Sequence, residues 1–496
     1  MPRLLLPNDI VRMRHPQLDS AAMTNAPRDD ALLSGFPSND ARQVASSAAR
    51  SGAIAIEARL RKSIKCGWAI GDCAIAGHMA IISVFLLYYL TEAQHFSGSL
   101  AGALILLPRI WSAVCDPLVG GISDRWRSRW GRRRPFVLFG AVVWAVSFAA
   151  MFWIPPELSL YLKTGWFLIS YFAANTGLSI YFVPYSAMAA EMTRDYDERL
   201  NLIAYREVAS RVAVLITVMA SPLIVKAAPD PLSGYRWVGV ATGAVILISG
   251  IVAFIATRGA PAVSFQPQTM SWSEQLKTFM ANKPLLVLSG AYFLSSACDA
   301  FYSALFIYFI TLGLRQPAAS IGLLYPTGSL AAILATALWA RTGSRWGKRR
   351  ACLAAFAGGA CCFFFSLFIP RGTPWLMFPF MIALGTCFQG MYVLPGAMVP
   401  DTVEYDEARS GMRREGAIFG AWTFTQQTGM AFGTFLVGVY LSLIGHGPGT
   451  VAVSASRQGV LLHLGFGLVP VALLAAGIAF LRYFALGRPA RTVAAT

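Results

Sequence analysis

Charged side chains are scarce in this sequence. Asp, Glu, Lys and Arg make up 13% of its 496 residues, where a soluble domain carries about 25%. That deficit excludes a large soluble core, and 56% hydrophobic content points to a polytopic membrane protein. Histidine is scarcer still, at five. No paired-histidine metal motif, phosphate loop or Gly-x-Ser-x-Gly elbow occurs, so no enzyme activity, metal site or organic cofactor is expected. The eight cysteines are scattered, with Cys361 and Cys362 adjacent. None has metal-ligand spacing, and they read as packing residues. Acidic residues number 24 against 41 basic, a net charge of +17. The basic residues gather in brief loops between apolar segments rather than on a soluble face, so no nucleic-acid partner is expected. Residues 1–60 lack the basic start, apolar stretch and cleavage site of a signal peptide. They read as a disordered polar tail, with Met13 and Met23 as alternative starts.

Long apolar runs, by contrast, fill the rest of the chain. A bilayer-spanning helix takes about 20 mainly apolar residues. Twelve segments qualify, at roughly 66–91, 97–121, 135–155, 164–190, 207–226, 236–257, 284–312, 319–341, 351–369, 374–398, 416–445 and 458–483. The expected architecture is an all-α integral membrane protein. A tail at 1–63 precedes a six-helix bundle at 64–257. A central connection at 258–283 leads to a second six-helix bundle at 284–484, and a tail at 485–496 ends the chain. Loops 122–135 and 341–350 hold eleven Lys or Arg, whereas the six loops of the opposite side hold six together. The positive-inside rule then places both termini in the cytoplasm of a bacterial-type inner membrane.

The two halves repeat. SRWGRRR at 128–134 returns as SRWGKRR at 344–350. Asp195-Tyr196-Asp197-Glu198 returns as Glu404-Tyr405-Asp406-Glu407, and YYLT at 88–91 as YFIT at 308–311. Two six-helix halves in the same direction, with a solute site at midplane between them, are the parallel repeat of the major facilitator architecture.

An ionisable residue inside a span costs roughly 2.5–3.5 kcal/mol and is a functional candidate by default. Arg109, Ser112 and Asp116 lie at i, i+3 and i+7 on one face of the second span. They read as a cation or proton site with Asp116 as the titrating carboxylate. The alternative is an Arg–carboxylate pair that locks the helix to its neighbours. Asp72 and Asp299 are isolated charges in the first and seventh spans and are cavity candidates. Arg206 is set at the start of the fifth span and could reach a solute or serve the gate. Trp111, Tyr185, Tyr302, Trp422, Gln426 and Gln427 are candidates to grip a sugar, aromatic faces stacking on its ring and amides satisfying its hydroxyls. The alternative for the aromatics is packing against lipid or other helices. His78 reads as a hydrogen-bonded packing residue. The stretch Asp124–Arg134, with Arg132 and Arg133, is expected at the cytoplasmic mouth. Its arginines, and Arg345 and Arg414 in the other half, are expected to close an inner gate by pairing with Asp195, Glu198, Glu404 and Glu407. The alternative is arginines that serve insertion and lipid headgroups.

RIWSAVCDPLVGGISDRWRSRWGRRRPF, VPYSAMAAEMTRDYDERLNLIAYRE and DTVEYDEARSGMRREGAIFG resemble segments of the glycoside–pentoside–hexuronide:cation symporters, the melibiose permease group. The resemblance spans about residues 64–484. It implies a twelve-helix major facilitator fold, alternating access, and movement of a sugar or related solute with Na⁺, Li⁺ or H⁺. Arg109, Asp116 and Arg206 match the group's pattern. The departures are chemical. The first acidic residue of the second-helix pair is Ser112. The first-helix sugar-binding Asp falls on Ala76, with Asp72 one turn earlier on the same face. The fourth-helix Asp falls on Phe182, and the eleventh-helix coupling Lys on Gln427.

A Na⁺ site with one carboxylate loses half its charge, while a proton needs one titratable group, so H⁺ coupling through Asp116, or no coupling, is expected over Na⁺. The expected solute is a neutral glycoside or oligosaccharide, because few cavity charges remain to select a charged one. The expected partners are that solute and membrane lipid, with a monomer as the working unit. Animal lysolipid transporters look similar in the same segments, so an amphipathic solute carrier is an alternative. A non-transporting membrane sensor is a third reading. It would need an output domain larger than these tails.

Overall fold

The apolar runs are all helical in the computed structural model, which describes residues 60–193, 196–260, 272–370, 373–411, 414–446 and 455–484. Among the described residues there are helices and no strands. The first half holds α1 (Lys62–Ile81), α2 (Gly98–Arg125), α3 (Arg134–Phe152), α4 (Leu160–Met192), α5 (Tyr196–Ala227) and α6 (Pro231–Ala256). A short amphipathic helix, α7 (Trp272–Ala281), lies in the central connection. The second half holds α8 (Lys283–Tyr308), α9 (Ile321–Trp346), α10 (Lys348–Ser366), α11 (Met377–Ser410), α12 (Glu415–Leu443) and α13 (Ala455–Arg482). Twelve of these thirteen helices run for 19 residues or more, and ten are long and apolar enough to cross a membrane. The remaining two long helices are α10 and α12. The first opens on Lys348-Arg349-Arg350, and the second carries Thr423, Thr425, Gln426, Gln427 and Thr428. Each packs mainly against two other long helices, α10 on α11 and α13, α12 on α8 and α2.

Neighbour relations repeat between the halves. In the first, α1 packs on α5 and α6, α2 on α4, and α3 on α4 and α6. In the second, α8 packs on α12 and α13, α9 on α11, and α10 on α11 and α13. These are two pseudo-symmetric six-helix bundles. The repeat reaches the backbone. Both YYLT and YFIT end their helices in π-helical turns, Tyr89–Ala93 and Phe309–Gly313. Each turn is followed by a non-glycine residue at positive φ, His95 and Arg315. A π turn followed by a left-handed residue re-aims the chain into the next helix.

Exposed apolar stripes run along several helices. Val208, Ile216 and Leu223 on α5 are 60–66% exposed. Stripes of that size are covered by lipid in a multi-pass membrane protein.

Some helix ends differ from the sequence reading. The fifth helix starts at Tyr196 rather than 207, so Arg206 and Glu207 lie nearly three turns inside it. The tenth-span helix continues to Ser410, carrying Glu404 and Glu407 on a helical extension. Acidic and basic residues read as loop are tolerated in these helices because many are paired, as Lys65 is with Glu198 at 2.8 Å. Residues 1–59 and 485–496 of the tails and 261–271 of the central connection lie outside the described residues.

Candidate functional site

The bundles meet along a seam that is closed at one end. That end lies opposite the arginine-rich loops, and we call it the far face and the arginine-rich end the basic face. Hydrogen bonds between described residues cross the seam at the far face. Thr91 Oγ1 and the Tyr308 hydroxyl are 2.5 Å apart, and the Ser99 amide donates to Ser442 Oγ at 2.7 Å. His446 Nε2 contacts Glu92 Oε1 at 2.6 Å, an ion pair when the imidazole is protonated. Tyr88 and Thr311 form the symmetry mate of the Tyr308–Thr91 pair. Close approach is allowed by glycine. A Cβ on Gly438 would lie 2.2 Å from the Gly98 carbonyl oxygen and 2.9 Å from Gly102 Cα. At the basic face the hydrogen bonds between described residues stay within a bundle or join the second bundle to α7.

Between these ends the two walls differ in chemistry. The first bundle presents charge. Asp72 on α1 is 4.0 Å from Arg206 Nε on α5, with Ser210 beside the carboxyl. Arg206 also holds Glu207 at 3.2 Å. Arg211 follows just over one turn beyond Arg206. The sequence reading passed over Arg211, although a lone arginine in SRVAVL was there to be seen. The second bundle presents aromatic rings. Tyr292 and Trp422, both buried, stack face to face with centroids 3.9 Å apart. Tyr392, half exposed, faces Glu207, Arg211, Arg206 and Asp72 across the seam. Asp299, beside Tyr292 and Tyr325, has Arg211 as its charged neighbour. Gln426 and Gln427 are half-buried on α12, and neither has a hydrogen-bond partner among the described residues. Tyr292 stands 220 residues after Asp72, the offset that relates YYLT to YFIT. The repeat has thus exchanged a carboxylate for an aromatic ring at matched positions.

The Arg109–Asp116 strip faces α1 and α4. Ser112 Oγ donates to Asn175 Oδ1 at 3.2 Å, and Ser179 lies beside the Asp116 carboxyl. Arg109 is buried and points its Nη2 at Met79 Sδ, 3.4 Å away. It forms no ion pair with Asp116, so the interlocking Arg–carboxylate pair is not present. Pro108 and Pro117 lie within α2.

Three aromatic candidates belong to packing instead. Tyr185 is fully buried, and its hydroxyl donates to the Trp68 carbonyl at 2.7 Å, which occupies the group a solute would need. Tyr302 is enclosed by Phe306, Phe363, Phe388 and Phe466, with its hydroxyl on Met381 Sδ. Trp111 lies in the exposed stripe Leu107, Ile110, Val114, Leu118, and its Nε1 donates sideways to Thr176. His78 accepts the Trp144 indole N–H at 3.1 Å, as a packing histidine does.

The basic loops clamp each bundle to itself. Arg132 and Arg133 both pair with Glu191 on α4, and Arg133 also holds Asp124 at 2.9 Å. Lys348 holds Asp401 on α11 at 2.7 Å, the counterpart in the second bundle. Arg134 reaches the Phe254 carbonyl at the end of α6, and Arg349 the Leu481 carbonyl at the end of α13. An arginine on the last carbonyls of a helix satisfies acceptors that have no partner within it. Among the described residues the partners differ from the expected ones. Glu198 pairs with Lys65, Arg414 donates to Thr278 of α7, and Arg345 and Glu404 are exposed. Asp195 lies outside the described residues. Glu191 was missed because it sits just past the end of an apolar run, 59 residues from Arg132.

A sequence profile of the family described as "MFS/sugar transport protein" matches residues 67–488. The chain is 27% identical to the "Inner membrane symporter YicJ" of Escherichia coli (strain K12) over 431 residues, covering 85% of this chain and 91% of that protein. It is 27% identical to the "Putative glycoside/cation symporter YagG" of the same organism over 419 residues, 83% of this chain and 89% of that one. The "Isoprimeverose transporter" of Lactiplantibacillus pentosus is 24% identical over 427 residues, with 83% and 88% covered. Among solved structures the nucleoside transporter NupG shares the fold at a TM-score of 0.61 and 16% identity, covering 85% of this chain and 98% of NupG. A bacterial homologue of the lysosomal transporter Spinster does so at 0.63 and 14%, covering 84% and 95%. These families are transporters rather than enzymes. The chain belongs to the MFS/sugar transport protein family, within the glycoside–pentoside–hexuronide:cation symporters that its loops resemble.

Proposed function

We propose that this secondary transporter moves a sugar, glycoside or related small polar solute across an inner membrane, with its basic face in the cytoplasm. The observation that carries the proposal is the asymmetric seam, a charged wall of Asp72, Arg206 and Arg211 opposite the rings of Tyr292, Trp422 and Tyr392. A pyranose has hydroxyls for the first and an apolar ring face for the second. The far-face contacts support reading the arrangement as an inward-facing stage of alternating access. The bundles would be 64–257 and 284–484, hinged on the connection 258–283.

Coupling is assigned to H⁺ at Asp116. Its polar surroundings, Ser112, Asn175 and Ser179, are neutral, so the strip offers one carboxylate. A proton needs no more than that, whereas Na⁺ favours several charged oxygens. Na⁺-stimulated uptake that survives in Asp116→Asn would overturn this assignment.

The test of the solute class is thermal unfolding of the purified protein with a panel of sugars, glycosides and lysolipids at two pH values. A ligand that binds the native state alone raises the apparent Tm. A sugar or glycoside is expected to do so. Stabilisation by lysolipids alone would replace this reading with an amphipathic solute carrier.

A further inference from the structure

Proton coupling needs a titratable group whose surroundings change as the bundles rock. Asp116 meets half of that requirement. Its polar neighbours sit on α2 and α4, inside one bundle. A second carboxyl lies astride the seam. Asp299 is the seventeenth residue of α8, and Arg211 the sixteenth of α5. At about 1.5 Å per residue each lies about 22–24 Å along its helix from the end at the basic face. They stand in different bundles. The α5 and α9 helices pack across the seam, and Tyr325 of α9 lies beside both charges.

Among the described residues neither Asp299 nor Arg211 makes a hydrogen bond or an ion pair. Around Asp299 stand Tyr292, Cys298 and Tyr302 of its own helix, Tyr325 of α9, and Arg211 as the charge. Around Arg211 stand Asp299, Tyr325 and Tyr392, with Glu207 about one turn earlier on α5. Two opposite charges that neighbour one another across the seam, each without a contact partner, are costly unless a stage of the cycle brings them together or neutralises one. A carboxyl that alternates between an isolated site and a touching guanidinium alternates between holding and releasing a proton.

We propose that Asp299 is a second proton site of the transport cycle, and that Arg211, closing on it across the seam, drives the proton off. The exchange is acid–base. When the cavity opens to the far face, the Asp299 carboxylate takes a proton from solution and becomes neutral. When Arg211 closes on it, the O–H bond breaks and the proton passes to water in the cavity open to the basic face. The carboxylate is left paired with the guanidinium. The arrangement described here, with the pair apart, precedes that release. The inference rests on the reading of the protein as an inward-open transporter. It adds a role at the seam that a site within one bundle cannot fill.

The experiment needs no solute, because the probe is the proton. Spin labels on Arg127→Cys and Arg345→Cys, one in each bundle at the basic face, report their separation in the full-length reconstituted protein from about pH 5 to 8. The wild-type background is expected to show a pH-dependent change in the distance distribution. Asp299→Asn abolishes it, Asp299→Glu retains it, and Arg211→Gln moves its midpoint by about one pH unit or more towards higher pH. Should Asp299→Asn fail to fold, the glutamate and glutamine variants carry the test. A wild-type distribution that ignores pH, or an Asp299→Asn protein that titrates like the wild type, overturns the proposal. Neither result touches the sugar assignment, which stands or falls with the ligand panel.

Discussion

Tyr185 and Tyr392 are the same residue type with opposite duties. The first is fully buried and its hydroxyl serves a backbone carbonyl, so Tyr185→Phe removes one buried hydrogen bond. Its expected cost is about 1 kcal/mol of stability with no change in solute affinity. The second stands half exposed against the charged wall, and Tyr392→Ala is expected to weaken solute binding about tenfold at unchanged stability. Thermal unfolding and solute titration of the two variants check the contrast, and the reverse pattern would contradict the assignment of the walls. The sequence could not separate the pair. A tyrosine inside an apolar run is equally consistent with a core and a cavity, because the neighbour that covers it is remote in sequence. Trp68 covers Tyr185 from 117 residues away. Charges were more legible. Asp72, Asp299 and Arg206 declare themselves against apolar surroundings, and each does line the seam. Arg211 was equally visible and passed over. Glu191 could not be paired with Arg132 without knowing that α3 and α4 are neighbours.

At the scale of elements, the far-face closure depends on small residues and on the repeated π turns. Gly438 on α12 touches Gly98 and Gly102 of α2, and a larger residue has nowhere to go. Gly438→Val is therefore expected to hold the far face open. A cysteine at Ser99 should then react with a membrane-impermeant thiol reagent several-fold faster than in the parent. Unchanged reactivity would show that the contact does not gate. The threonine–tyrosine pairs act in the same sense. Thr91→Val with Thr311→Val removes both hydroxyls from the tyrosines opposite, at about 0.6–2 kcal/mol each. That is enough to move a two-state equilibrium several-fold to tenfold or more towards far-face opening, seen as a change in the same labelling rate. The loop before α6 has its own pH dependence. Asp230 caps that helix, and hydrogen bonds from the Ser233 hydroxyl and then its amide hold the Asp230 carboxyl below the usual range. A depressed carboxyl stabilises above its unfolded value, and this contribution fades as pH falls through the folded value, below about pH 4. Asp230→Asn is expected to flatten that acidic limb of a Tm-against-pH curve. Helix existence was legible from apolar runs, whereas helix ends were not. Paired charges carried the fifth helix eleven residues beyond its apolar stretch.

For the whole molecule, the two halves share a backbone plan and divide the chemistry. Matching clamps, Arg132–Glu191 and Lys348–Asp401, keep each bundle rigid at the basic face. Rigid bundles move as bodies, so the seam is where motion between them takes place. The matching SRWG stretches made this division legible in the sequence. The seam was legible only in part, because its walls come from helices that meet in space alone. The most direct measurement is a pair of spin-label distances read with and without a stabilising sugar. One pair joins Arg127→Cys to Arg345→Cys at the basic face, and the other joins Glu157→Cys to Leu312→Cys at the far face. Exposed Cys66 and Cys361 are replaced beforehand. The account predicts that sugar shifts the two distributions in opposite senses, one face closing as the other opens. Distances that stay fixed, or that change in the same sense at both faces, would contradict it.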